Sequence, residues 1–131
     1  MKQLLILTLL SLTMACGNTG AQDQDQTTEA KHRVLSKAEF EKRLSEGDIQ
    51  LVDVRTPNEY AAGHIEGAIN ANVMDPNFPV DVASKTDTSK QVMIYCRSGK
   101  RSDRAAKVME EMGYPMIYDL DGGYLAWSRE Q

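Results

Sequence analysis

Short runs of large apolar residues recur along the chain and predict a sheet. The runs 49–54, 92–95 and 116–120 are rich in β-branched or other large apolar side chains, as strands are, and 68–72 is a weaker strand candidate. The run 92–95 contains no charged side chain, which is typical of a strand buried on both faces.

Two capping signals separate the first of these runs from its neighbours. Ser36 followed by Glu39 forms a capping box that begins a helix at Lys37, and Gly47 offers a left-handed end for it. The segment 56–59 repeats the signal, with a threonine cap, a proline at the first helical position and a glutamate to complete the box.

The second half of the chain continues the alternation. The segment 73–90 is a polar connection with one short helical turn, and 102–112 is an amphipathic helix that ends at a glycine. Gly122–Gly123 turns the chain into a last helix over 124–129. Strands that alternate with helices predict an α/β fold, with a parallel sheet covered by helices on both faces.

The first residues have the pattern of a targeting segment. A lysine precedes the apolar run 4–12, and small residues lead from it to Cys16, which predicts a signal peptide over 1–15. Nine residues are far fewer than the roughly 20 that a membrane-spanning helix needs. We therefore expect export, to the periplasm of a bacterium.

Residues 12–16 resemble a bacterial lipobox, in which the cysteine is acylated and anchors the mature protein to a membrane. Thr13 stands where such boxes usually have leucine, so ordinary cleavage after Ala15 remains the alternative. Residues 16–31 then form a flexible linker, since 17–30 contain no large apolar side chain.

The remaining residues, 32–131, are enough for one compact domain and too few for two. The formal net charge of −4 gives no overall attraction to nucleic acid, so no nucleic-acid partner is expected. Any binding of anions must be local.

The segment around Cys96 supplies such a local site. It lies between a predicted buried strand and a predicted helix, where backbone N–H groups can turn inward and bind an anion. Arg97, Lys100 and Arg101 add positive charge, and Gly99 lets the backbone turn tightly. All of these favour the thiolate form of Cys96, which is a nucleophile.

Several motifs together resemble the rhodanese family. They are the segments 51–55, 59–60 and 63–70, the loop 96–102 and the ending 122–127, and they occur in order across nearly the whole domain. The resemblance implies sulfur transfer from thiosulfate to an acceptor through a persulfide on the enzyme, with no metal and no organic cofactor. It implies a small anionic donor, and a thiol or a thioredoxin-like protein as the acceptor.

The resemblance places the nucleophile at Cys96. It assigns the substrate cradle to the residues that follow, namely Arg97, Ser98, Gly99, Lys100, Arg101 and Ser102.

Four other motif residues are expected to have structural roles. Asp53 and Arg55 end a strand near the loop, and Arg55 can pair with Glu59. His64 is expected to stabilise a turn, because a cysteine already present as a thiolate needs no general base.

Two rival functions stay open at this point. A phosphatase or arsenate reductase has a loop of cysteine, five residues and arginine, whereas here that position is Ser102 and Arg101 comes one place early. The resulting six-residue loop accompanies sulfur chemistry in the family that the chain resembles. The other rival is a noncatalytic or sulfur-relay module, which a sulfite-release assay distinguishes from an enzyme.

Overall fold

A computed structural model describes residues 29–129 of the chain. Within this range the strands are β1 (His32–Leu35), β2 (Gln50–Asp53), β3 (Ile69–Asn70), β4 (Val92–Tyr95) and β5 (Ile117–Leu120). The helices are α1 (Lys37–Ser45), α2 (Pro57–Ala62), α3 (Phe78–Lys85), α4 (Lys100–Glu111) and α5 (Gly123–Ser128).

The strands form one parallel sheet in the order β1-β5-β4-β2-β3, which confirms the predicted α/β fold. β4 is central, and its Ile94 pairs with Val52 of β2 on one side and with Asp119 of β5 on the other. Because all strands run the same way, the residues after β2, β4 and β5 meet at one edge of the sheet, where parallel sheets hold ligands.

Helices cover both faces of the sheet, so the strands contribute to two cores. On one face α3 and α4 pack over a core that includes Val52, Ile94, Cys96, Met109 and Ile117. On the other face, α1 packs with the partly buried Tyr60 of α2 and Trp127 of α5 over a second core, which includes Leu51, Met93, Tyr95 and Leu120. Burial on both faces explains why the β4 sequence has no charged residue.

The capping signals of the first two helices are confirmed. Ser36 and Thr56 each accept a hydrogen bond from the backbone of the glutamate three residues later, and that glutamate bonds back to the cap. Gly47 follows α1 with a φ of 73°, in the left-handed region that a glycine adopts easily.

Three elements of the structure differ from those that the sequence predicts. The connection after β3 contains the eight-residue helix α3, whereas the sequence predicts one short helical turn there. The helix is stabilised because the side chains of Phe78 and Val82 are buried in the core. α4 begins at Lys100, two residues before the predicted start. β1 has no counterpart among the predicted strands, and it forms because its backbone pairs with β5, although only Leu35 in it is buried.

The predicted signal peptide, residues 1–15, and the predicted lipid anchor, Cys16, lie outside the described residues. They stay predictions. Among residues 29–129, no helix has the length and apolar character needed to cross a bilayer.

The cap of α1 can be tested by mutation. Ser36→Ala removes the acceptor of the Glu39 N–H and should lower the free energy of unfolding by about 1 kcal/mol. Ser45→Ala is the matched control, since the exposed Ser45 hydroxyl bonds only to a carbonyl of its own helix and its loss should cost less than about 0.5 kcal/mol. Urea unfolding measures both, and equal losses would contradict the assigned cap.

Candidate active site

Cys96 comes directly after the central strand and has 1% of its surface exposed. The loop that follows curls back over it, because the Gly99 N–H donates to the Cys96 Sγ with 3.0 Å between nitrogen and sulfur. Gly99 has a φ of 110°, which side chains rarely tolerate. Gly99, which the sequence predicts to allow a tight turn, therefore places its backbone N–H next to the Cys96 sulfur.

α4 starts one residue after Gly99, so its amino-terminal end adjoins the loop. The positive end of a helix dipole favours a negatively charged sulfur at this place. Ser102, in the first turn, is completely buried, and its hydroxyl donates to the Gly99 carbonyl at 3.1 Å. Ser102 was predicted to contact substrate, but the structure places it in contact with the loop backbone and away from solvent.

Arg101 makes an ion pair that the sequence did not indicate. Its two terminal nitrogens each donate to one carboxylate oxygen of Glu59, both at 2.7 Å. These hydrogen bonds lower the pKa of Glu59 to about 2, against burial, which raises it. They also raise the pKa of Arg101, as does the attraction of the nearby Cys96 sulfur to a smaller extent. Arg101 thus lies near Cys96, but its charge is compensated by Glu59.

The expected pairing of Arg55 with Glu59 is therefore wrong. Arg55 is 4% exposed, and it donates to both oxygens of Asp53 and, at 2.7 Å, to the Gly63 carbonyl. Its guanidinium carbon also lies 4.2 Å from the centre of the Tyr124 ring. Asp53 is only two residues away and equally buried, so the Arg55 guanidinium pairs with Asp53 and not with Glu59. Asp53 and Arg55 link the end of β2 to α5.

The outer side of the loop carries the uncompensated charge. Arg97, Ser98 and Lys100 are exposed, and within residues 29–129 neither Arg97 nor Lys100 takes part in an ion pair. Of the three cations predicted to attract a substrate, these two are the ones whose charge faces solvent without a partner. The chain has a negative net charge, but these two cations make the surface beside Cys96 locally positive.

α5 holds the other side of the loop. The Tyr124 N–H donates to the Cys96 carbonyl at 2.8 Å, and the Leu125 N–H donates to the Arg97 carbonyl at 3.1 Å. A Cβ at Gly123 would lie 2.5 Å from the Cys96 carbonyl oxygen, too close for any side chain. Gly123 is thus a site residue that the sequence analysis took for a turn, although its position in a Gly-Gly pair was the available signal.

His64 is exposed and lies two residues after the end of α2. Its Nδ1 is 2.9 Å from the Tyr60 carbonyl oxygen, and its ring stacks on the Tyr60 ring with 3.7 Å between the centroids. These contacts are local to the turn after α2. The turn-stabilising role expected of His64 stays a prediction.

No group of three His, Cys, Asp or Glu side chains in the described range is placed to hold a metal ion. A surface cavity of about 440 Å³ lies at the far edge of the sheet, among residues that precede β2, β4 and β5, including Asp48, Gln91 and Pro115. Cys96 lies at the opposite, carboxyl edge of the sheet, so it does not line this cavity.

The sequence of this chain matches the family model of the rhodanese-like domain over residues 36–130. The chain belongs to the rhodanese-like family. The uncharacterized protein YqhL of Bacillus subtilis is 37% identical over 95 residues, which cover 72% of this chain and 71% of YqhL. The tRNA uridine(34) hydroxylase of Teredinibacter turnerae is 31% identical over 99 residues, which are 73% of this chain but only 31% of the hydroxylase.

Solved structures agree with this assignment. A rhodanese-like domain protein of Staphylococcus aureus superposes with a TM-score of 0.65 at 28% identity, over 75% of this chain and 93% of that one. A human single-domain sulfurtransferase superposes with a TM-score of 0.63 at 28% identity, over 75% of this chain and 96% of that one. This rhodanese-like chain thus has a sulfurtransferase among its structural relatives.

The Glu59–Arg101 pair should make stability depend on pH. Since the pKa of Glu59 is about 2 in the folded protein, below its usual 4.5, the pair stabilises the fold above pH 4.5 and loses this effect as the pH falls towards 2. Glu59→Gln should lower the free energy of unfolding by about 1 to 2 kcal/mol at pH 7 and by progressively less in acid.

Denaturant unfolding from pH 7 to pH 2 measures this difference. Asp81→Asn is the control, because Asp81 makes an exposed pair with Lys85 at 2.9 Å and its loss should cost less than about 0.5 kcal/mol. A constant difference between wild type and Glu59→Gln across this range would contradict the assigned pairing.

Proposed function

We propose that this rhodanese-like protein is a sulfurtransferase that moves the outer sulfur of thiosulfate, or of a related persulfide donor, to a thiol acceptor. The observation that carries the proposal is the Gly99 N–H held 3.0 Å from the Cys96 sulfur at the start of α4. A backbone donor and a helix terminus together stabilise a thiolate, which is the reactive form of cysteine.

In the first step the Cys96 thiolate attacks the outer sulfur of thiosulfate. A new S–S bond forms to Cys96, the S–S bond of thiosulfate breaks, and its electron pair leaves with sulfite. In the second step an acceptor thiolate attacks the outer sulfur of the Cys96 persulfide, and the Cys96 thiolate leaves. Each step exchanges one S–S bond for another, so no further oxidant or reductant is needed.

The surroundings of Cys96 suit both steps. Arg97 and Lys100 raise the local concentration of a small dianion, while the loop backbone can hold the sulfonate oxygens as the outer sulfur meets the thiolate. The hydrogen bonds from α5 to the carbonyls of Cys96 and Arg97 keep the loop in place when its charge changes. A rigid cradle stabilises the transition state without reorganising first.

The similarity to tRNA hydroxylases does not change the proposed substrate. The chain spans about a third of the length of those enzymes, and its net charge of −4 offers no general attraction to RNA. We accordingly propose a small anionic donor, and a thiol or a thioredoxin-like protein as the acceptor.

The nucleophile is tested first. Cys96→Ser should abolish sulfur transfer and leave the circular dichroism spectrum unchanged, because serine has a similar size but a hydroxyl that hardly ionises at neutral pH. Mass spectrometry of the wild type after thiosulfate should show one added sulfur atom on Cys96. Sulfite release that persists in Cys96→Ser would remove this mechanism, and a folded wild type without sulfite release would favour a noncatalytic module.

Steady-state kinetics test whether the exposed Arg97 and Lys100 attract the sulfur donor. Arg97→Ala with Lys100→Ala should raise the KM for thiosulfate several-fold and weaken its dependence on salt, because solvent-exposed charges are screened beyond about 8 to 10 Å. Initial rates should follow a ping-pong pattern, since sulfite leaves before the acceptor binds.

Lys107→Ala is the matched control, since Lys107 lies further along α4 and pairs with Asp103 at 2.8 Å. It should leave the KM and its salt dependence unchanged. An unchanged KM in the double variant would instead favour a neutral or protein-bound sulfur donor.

A further inference from the structure

The Glu59–Arg101 ion pair joins two helices that lie on opposite faces of the sheet. Arg101 is on α4, which packs over the core that contains Cys96, whereas α2 carries Glu59 and packs through Tyr60 against the other core. α2 follows β2 and α4 follows β4, and these two strands are neighbours in the sheet. The pair therefore crosses the carboxyl edge of the sheet, which is the edge at which Cys96 lies.

The chain around the two strand ends places this pair close to the active-site loop. The Val54 N–H, directly after β2, donates to the carbonyl of Tyr95, the residue before Cys96, at 3.0 Å. The side chains of Arg101 and Glu59 are 25% and 28% exposed, so an anion in solution can reach them. Arg101 is thus a third cation at this edge, but both of its terminal nitrogens are occupied by Glu59.

Glu59 does more than cap its own helix. Its Oε2 accepts hydrogen bonds from the N–H and the hydroxyl of Thr56 and from one terminal nitrogen of Arg101, and its Oε1 accepts from the other. Glu39 completes the same kind of capping box with Ser36 on α1, but in the described part of the chain it takes part in no ion pair. The contact with the arginine is therefore additional to the cap.

A guanidinium that is paired in this way is not available to a second anion. Its terminal N–H groups form a fork that suits two oxygens of one partner, whether a carboxylate or a tetrahedral oxyanion such as phosphate or sulfate. Because both nitrogens of Arg101 lie 2.7 Å from Glu59 oxygens, an oxyanion must displace the glutamate before it gains these bonds. Arg97 and Lys100 are exposed, and their charges act without such a displacement.

We propose that Glu59 is a positioning residue that sets the anion specificity of the loop, because it holds the Arg101 guanidinium away from tetrahedral oxyanions. The loop then binds such anions only through its backbone N–H groups and through the exposed Arg97 and Lys100. Inorganic phosphate and sulfate consequently occupy the loop weakly, and Cys96 stays open to a sulfur donor. The inference rests on the proposed function for the role of Cys96, but it concerns the affinity for anions and not the transfer of sulfur.

Anion binding can be measured without any sulfur donor. Inorganic phosphate is titrated into the full chain, and the dissociation constant is obtained from the NMR shifts of the backbone amides in the loop, including that of Gly99. Glu59→Gln should bind phosphate about five- to tenfold more tightly than the wild type, because the released guanidinium donates charge-assisted hydrogen bonds to the anion. A substitution that only loosened the fold would lower this affinity and not raise it.

A second substitution tests whether the gain comes from Arg101. Glu59→Gln with Arg101→Gln has the same net charge as the wild type and lacks both members of the pair, so its affinity for phosphate should return to about that of the wild type. Glu39→Gln is the matched control. It removes the same charge and the same kind of capping contact but releases no arginine, so it should bind phosphate as the wild type does.

The wild type supplies a further measurement, in case Glu59→Gln does not fold. In side-chain NMR, phosphate should shift the guanidinium signals of Arg97 more than those of Arg101. Equal shifts of the two groups, an unchanged phosphate affinity in Glu59→Gln, or a gain that Glu39→Gln reproduces or that Arg101→Gln does not remove would each overturn the proposal. A wild type that releases no sulfite would overturn the proposed function and leave these phosphate affinities as predicted.

Discussion

The Gly99 N–H on the Cys96 sulfur is the contact around which the rest of the site is arranged. It requires the chain to leave the central strand, reverse within three residues and enter α4, which only a residue tolerant of a positive φ permits. The loop is then held from two sides. Ser102 bonds to the Gly99 carbonyl from within α4, and α5 bonds to the carbonyls of Cys96 and Arg97.

The charges around this loop divide into two groups with different physical effects. Arg55 and Arg101 are paired with Asp53 and Glu59, so they mainly hold elements together, although Arg101 still attracts the sulfur. Arg97 and Lys100 reach solvent without ion-pair partners in the described range, and their charge is available to an approaching anion. Separating fixed pairs from free cations lets a protein of negative net charge attract an anion at one place.

The negatively charged groups near the loop also differ in what they can do. Glu59 stays ionised under nearly all conditions, because Arg101 lowers its pKa to about 2. Asp119 is buried with its Oδ1 unpaired in the described part of the chain, and burial raises its pKa above the usual range of an aspartate. Pairing with a cation favours the charged form of Glu59, whereas burial disfavours the charged form of Asp119.

Local signals in the sequence were enough to predict the alternating elements other than β1 and the full length of α3, the two capping boxes, and the position of Cys96 between a strand and a helix. These follow from side chains close together in the chain, and so does the tight turn at Gly99. What only the tertiary structure decided is which distant groups meet. Arg101 pairs with Glu59, 42 residues away, and Gly123 lies against the Cys96 carbonyl because α5 packs onto the loop. Neither the partner of a charge nor the closeness of two backbones is encoded locally, since both depend on the order in which the strands join the sheet.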